Sequence, residues 1–220
     1  MLRDVDISQI SDGKKYRAED MVKLGCKDCE GCSSCCHEVS DTIIIDPYDL
    51  YEMSKGLHTN FNSLVQDELS LRVVDGMVMP MMNITADKGC LFLNDDGRCK
   101  IHDFRPGFCR LFPLGRVYDE DEMYYILQKD ACPNVQTKVK IKKWLDIPEL
   151  PKYEKYVKDW HEFQKLVREN LSETDDDQTI HNAAMAILNM FYVKEYDITE
   201  SFYPQFYERL GKMKDVFADK

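Results

Sequence analysis

The stretch Cys26-Lys27-Asp28-Cys29-Glu30-Gly31-Cys32-Ser33-Ser34-Cys35-Cys36 gathers five of the chain's nine cysteines into eleven residues. Two-residue gaps let a loop turn successive sulfurs onto one metal. Thiolates so spaced are the usual ligands of iron–sulfur clusters and of structural zinc. Without a metal, thiols at this density would repel one another as thiolates and invite oxidation. The stretch therefore reads as a metal-binding loop, and the fold must be one that carries such a loop.

Working outward, Cys29, Cys32 and Cys35 form a C-x2-C-x2-C run, the arrangement of ferredoxin loops that take a last ligand from elsewhere in the chain. Cys90, Cys99, Cys109 and Cys132 are available for that purpose, and Cys132-Pro133 echoes the remote ferredoxin cysteine. In an extended segment Cys35 and Cys36 would point to opposite faces, which suits two sites, or two irons of one cluster, better than one ion. Leaving Cys26 aside, eight cysteines suffice for two sites of four thiolates; one cluster plus several structural thiols fits as well. His37 and His102 each sit near a cysteine and could replace a thiolate, but they read as exposed polar side chains. The C-x3-C-x2-C motif of radical enzymes that cleave S-adenosylmethionine is absent, as are a Gly-rich dinucleotide loop and a Walker loop.

The 220 residues suit one medium domain or two small ones. A net charge of −11 weighs against phosphate binding, so no nucleic-acid partner is expected. Lys138, Lys140, Lys142 and Lys143 form the dense basic run and read as the polar face of one solvated element. The N-terminal residues are polar and acidic, and no apolar run approaches the about 20 residues of a membrane helix. The expectation is a cytoplasmic protein without a membrane partner, in a compartment where clustered cysteines hold metal and disulfides are rare. An odd count of nine also fits a disulfide framework poorly.

The rest of the chain reads as α+β. A short helix is expected around Lys15–Lys23, and a strand over Thr42-Ile43-Ile44-Ile45 ends at Asp46-Pro47. Asp46 and Pro47 make an N-cap and first residue for a helix over Tyr48–Lys55 that closes at Gly56. Asn60–Leu69 has helical spacing of Phe61, Leu64, Val65 and Leu69. Asp75-Gly76 links Arg72–Val74 to Met77–Met79 as a hairpin, and Asp95-Asp96-Gly97 links Cys90–Leu93 to Arg98–Ile101 as another. Leu114–Tyr118 and Met123–Leu127 flank an acidic turn. After Cys132-Pro133 the pattern turns helical, over Tyr153–Leu171, Thr179–Tyr196 and Ser201–Phe217. Trp160, Phe163, Phe191, Tyr192, Phe202 and Phe206 read as core rather than as a cofactor box. Asp175-Asp176-Asp177 reads as a solvated loop that caps the next helix. Three regions follow: a lead-in over 1–25, a cysteine-rich metal-binding half with short β-hairpins over 26–135, and a helical third over 136–220 packed against it.

Five pieces occur in order: Cys29-x2-Cys32-x2-Cys35-Cys36, Gly89-Cys90-Leu91-Phe92-Leu93, Gly97-Arg98-Cys99-Lys100-Ile101, Arg105-Pro106-x2-Cys109-Arg110-x-Phe112-Pro113-Leu114, and Cys132-Pro133. Together they resemble the CxxCxxCC family, zinc- or iron-chelating cysteine-cluster proteins to which flagellin lysine N-methylases look related. By matching positions the resemblance implies Cys29, Cys32, Cys35, Cys36, Cys90, Cys99, Cys109 and Cys132 as metal ligands. Cys26 lies outside that pattern, and its role stays open. Arg105 and Arg110 would either offset thiolate charge or hold an anionic substrate group, or else cap carbonyls in a structural turn. Three functions compete. The chain is an iron–sulfur protein with one or two [4Fe–4S] clusters, acting in electron transfer or as the redox part of an enzyme. Or it modifies a protein or peptide, methyl transfer to lysine being suggested by the resemblance. Or it is a zinc-stabilised interaction module with a protein partner, whose surface the acidic charge would expect to be basic.

Overall fold

The computed structural model describes residues 6–25, 32–37, 43–86, 89–119, 122–132 and 137–218. The architecture is α+β, with small antiparallel hairpins and a helical C-terminal region. A one-turn helix α1 (Ile7–Ile10) leads into strand β1 (Met21–Gly25), so the helix expected around Lys15–Lys23 does not form. The residues there alternate rather than turn: Val22 and Leu24 are buried while Met21 and Lys23 face out, a period of two that suits a strand. Next come α2 (Ser34–His37), α3 (Pro47–Leu57) and α4 (Phe61–Asp67), then the β2 (Leu69–Val74) and β3 (Met77–Met82) hairpin. Asp75 and Gly76 both have positive φ, 50° and 79°, as a two-residue hairpin turn requires. Leu69, placed by its spacing on α4, opens β2 instead.

A 3-10 turn (His102–Phe104) precedes α5 (Gly107–Leu111), followed by the β4 (Leu114–Asp119) and β5 (Glu122–Leu127) hairpin. Strand β6 (Thr137–Lys140) then pairs antiparallel with β1, and α6 (Ile141–Leu145) follows directly. The lysine run thus spans two elements, β6 and α6, not one. The last third holds α7 (Leu150–Ser172), α8 (Asp177–Leu188), a π-helical turn over Asn189–Val193, and α9 (Phe202–Ala218). The helix read over Thr179–Tyr196 therefore changes pitch after Leu188 and ends near Val193. Among the described residues the strands form three separate two-stranded ribbons, and no helix is long and apolar enough to cross a membrane.

Two segments fall short of the strands expected of them. Ile43 and Ile45 lie alongside β3, with Met82 N–H donating to Ile43 O and Ile45 N–H to Pro80 O, but only Ile44 forms a bridge. Thr42 lies outside the described residues. The Asp95–Gly97 turn forms, with Lys100 N–H donating to Phe92 O, yet its arms meet at the single bridge Leu93–Cys99.

The core belongs to the aromatic side chains. Tyr153, Tyr156, Trp160, Phe163 and Val167 form the buried stripe of α7. Trp160 meets Phe191 edge-on at 4.9 Å, and Tyr156 meets Phe206 at 4.7 Å. Such pairs add about 0.5–1.5 kcal/mol each beyond area burial. Asp176 caps α8 by accepting from Gln178 and Thr179 N–H, the capping role read for the acidic loop.

Helix α3 joins this core to the cysteine segments. Asp46 caps it in a reciprocal capping box with Asp49, as its sequence predicts. The helix runs past Gly56 and closes at His58 in the left-handed conformation. Gly56 is there for space: a Cβ at that position would fall in the Phe104 ring. Gly56→Ala should therefore destabilise the protein by about 1–3 kcal/mol despite alanine's better helix propensity, as overpacking does. Chemical denaturation checks this; an unchanged or raised midpoint would contradict the packing assigned to Phe104.

Candidate metal centre

Three chain segments bring cysteines toward one another. The first is α2, a single turn in which Cys36 N–H donates to Ser33 O at 2.8 Å. Helical neighbours are rotated by about 100°, not 180°. Cys35 and Cys36 accordingly do not point to opposite faces: their Sγ atoms are 3.9 Å apart. The second segment is docked on the first through the backbone, Cys90 N–H donating to Cys36 O at 2.7 Å. Cys90 is buried, with its Sγ 3.9 Å from Met82 Sδ at the end of β3. The Asp95–Gly97 turn then carries Cys99, and a Cβ on Gly97 would come within 3.5 Å of Ser33 Oγ, so this turn too lies against α2. The third segment is α5, which bears Cys109.

Electrostatics tie these thiols into one group. The hydrogen bond shared with Cys36 holds Cys35 down, to about 7, with the Arg105 guanidinium helping. The same hydrogen bond, then burial, then charge on Cys35, Cys90 and Cys99 drive Cys36 far up. Burial raises Cys90, and Cys35 adds to it. Burial likewise raises Cys99, with Cys90 and Cys35 adding and Arg105 opposing. Cys109 is pushed well above its ordinary range by burial, then by Cys90, Asp49, Cys99 and Cys35. Charge on Cys35 is thus felt by Cys36, Cys90, Cys99 and Cys109 alike. Only a cation among them would let these five ionise together, and so the donor set fits a thiolate-bound metal.

Residues 28–140 match the family described as "Putative zinc- or iron-chelating domain", CxxCxxCC. The chain belongs to the CxxCxxCC family. No curated protein and no solved structure matches it. The CxxCxxCC match spans every cysteine singled out from the sequence except Cys26, and it ends at the last residue of β6.

Within the CxxCxxCC segment the structure sets Cys35 beside Cys36 and docks the Cys90 backbone on Cys36, while Cys99 and Cys109 lie near enough to feel the charge of Cys35 and Cys90. Cys32 is half-buried, its Sγ 3.6 Å from Ser34 Oγ, and Cys132 is half-buried beyond the turn at Asp130. Cys26, Cys29 and Pro133 lie outside the described residues. Among the described residues, no three cysteine, histidine, aspartate or glutamate side chains converge closely enough to hold an ion. His37 and His102 are exposed, in line with their sequence reading. The two arginines divide between their alternatives. Arg110 is buried and donates to the carbonyls of Arg105, Asp146 and Asp103, a structural role. Arg105 donates to His102 O and lends positive charge to Cys35 and Cys99.

Asp49 is the residue that sequence reasoning missed. It is buried, and its Oδ1 accepts the Gly107 N–H at 2.7 Å, which fixes the start of α5 two residues before Cys109. A Cβ on Gly107 would fall on the Tyr153 hydroxyl, so α7 presses on the same point. Burial, then Asp46, raises the Asp49 carboxyl well above its usual range. Its position at N3 after Asp46 was the available signal, but that spacing announces a capping box and not a bond to residue 107. Asp49→Ala leaves the Gly107 N–H buried without an acceptor and should cost about 1–3 kcal/mol. It should also lower the metal bound by the purified protein. Denaturation and elemental analysis test the two effects; full stability with full metal would remove Asp49 from the scaffold of Cys109.

Proposed function

We propose that the protein carries a [4Fe–4S] centre, one or two per chain, and serves as a redox or electron-transfer component or as the cluster-bearing part of an enzyme. The run of cysteines at two-residue gaps, followed by distant thiols that feel the charge of Cys35, carries the reading. The spacing of Cys29, Cys32 and Cys35 is that of a cluster-binding loop. Cys29, Cys32, Cys35, Cys36, Cys90, Cys99, Cys109 and Cys132 would supply the thiolates. When bound, such a centre supplies one-electron chemistry. Arg105 would offset thiolate charge there, and Met82 against the buried Cys90 would limit water at that sulfur. A protein partner or peptide substrate and a cytoplasmic location complete the proposal, the latter because a reducing compartment preserves free thiols. Lysine methyl transfer rests on the resemblance to flagellin lysine N-methylases alone, and no Gly-rich nucleotide loop supports it.

One observation favours zinc as the second reading. With Zn–S bonds of about 2.3 Å, two thiolates on one tetrahedral ion stand about 3.8 Å apart, close to the 3.9 Å between Cys35 and Cys36 Sγ. Zinc would hold the loops in place and carry no electron. Anaerobic purification followed by an absorption spectrum and iron, zinc and sulfide analysis separates the two. The expected result is broad absorption near about 400 nm with acid-labile sulfide equal to iron, as a cluster of this kind requires. A colourless protein with zinc and no sulfide would overturn the iron–sulfur reading.

A further inference from the structure

The lysine run is less ordinary in three dimensions than in sequence. In the β1–β6 ribbon Met21 stands opposite Lys140, and Lys23 opposite Lys138. Directly opposed residues share a face, and here Val22 and Leu24 take the inner one, so Met21, Lys23, Lys138 and Lys140 share the outer. Lys142 and Lys143 on α6 continue it. Together Met21, Lys138, Val139, Lys140, Lys142 and Lys143 line an open, shallow concavity of about 520 Å³.

Two features set this concavity apart from a solvated face. Like charges directly opposite across a ribbon are destabilising, yet Lys23 faces Lys138. Glu19 answers only part of the charge, pairing with Lys140 at 2.9 Å and Lys142 at 2.6 Å. Among the described residues Lys23, Lys138 and Lys143 have no carboxylate partner. This is a concentrated positive surface on a chain whose net charge is −11. Met21, 51% exposed, adds an apolar contact within it.

We propose that this groove docks a short carboxylate-rich segment of a protein partner, one that carries an apolar residue among its acids. Its length follows from screening. At physiological salt the groove's field reaches only about 8 Å, so a short acidic segment stays inside it, while a long polyanion such as a nucleic acid would run onto the acidic remainder of the surface. Met21 favours a peptide too, since an apolar side chain can cover it and a phosphate backbone cannot. The inference holds for iron or zinc alike.

Fluorescence anisotropy with a labelled Glu-Glu-Glu-Leu-Glu-Glu-Glu peptide and the full metal-loaded chain tests it. Saturable binding is expected, weakened roughly tenfold between about 50 and about 500 mM salt. Lys138→Glu with Lys143→Glu should weaken it roughly tenfold or more, and Lys143→Glu alone, which disturbs no strand pair, roughly threefold. Lys165→Glu with Lys214→Glu, exposed on the helical third, should leave it unchanged. Equal loss in both double variants would reduce the effect to net charge and overturn the proposal. So would tighter binding of a single-stranded oligonucleotide of equal charge, or self-association abolished by the groove variants, which would assign the surface to nucleic acid or to a second copy.

Discussion

Thiols crowded against one another cannot all ionise unless something positive stands among them. That constraint governs the centre of this protein. The hydrogen bond with Cys36 lowers Cys35, while that same bond raises Cys36 and burial, with charge on Cys35 adding to it, raises Cys90, Cys99 and Cys109. Among the described residues Arg105 opposes this repulsion, while Arg110 is committed to three carbonyls. A cation among these thiols would relieve the repulsion, as suits a chain of a zinc- or iron-chelating family.

The scaffold that does the gathering is held by aromatic packing and by hydrogen bonds between distant elements. α7 packs through a continuous aromatic stripe, and its Tyr156 hydroxyl accepts the Tyr48 N–H at the start of α3. From α3, Asp49 reaches Gly107 and so aims α5. Gly56 and Gly107 are the two close approaches, to Phe104 and Tyr153, that let these pieces sit against one another. The cysteine segments are short and irregular, with one-turn helices and single bridges, and they hang between elements that are firmly packed.

Much of this was legible in the sequence where local chemistry dominates. Asp46-Pro47 starts α3 because a cap and a fixed φ act within one turn, and Asp75-Gly76 makes a hairpin because two positive φ angles are needed there. Trp160, Phe163, Phe191, Tyr192, Phe202 and Phe206, read as core from their spacing, are all buried. What stayed hidden depends on partners far along the chain. Met21–Gly25 becomes a strand because β6 lies beside it more than a hundred residues later. Cys35 and Cys36 lie close together because α2 is helical, which four short residues do not announce. Asp49 meets Gly107 across 58 residues, a contact that no periodicity encodes.

The central claim is that thiols distant in sequence serve one centre, and metal stoichiometry in single variants tests it most directly. Cys109→Ser and Cys32→Ser should each be purified anaerobically beside the wild type, with bound iron and zinc measured per chain. Both should lose metal to a similar, large extent while the helical signal of the C-terminal third persists. Full metal content in Cys109→Ser, with loss only in Cys32→Ser, would contradict a shared centre and leave the N-terminal cysteine loop to bind metal by itself.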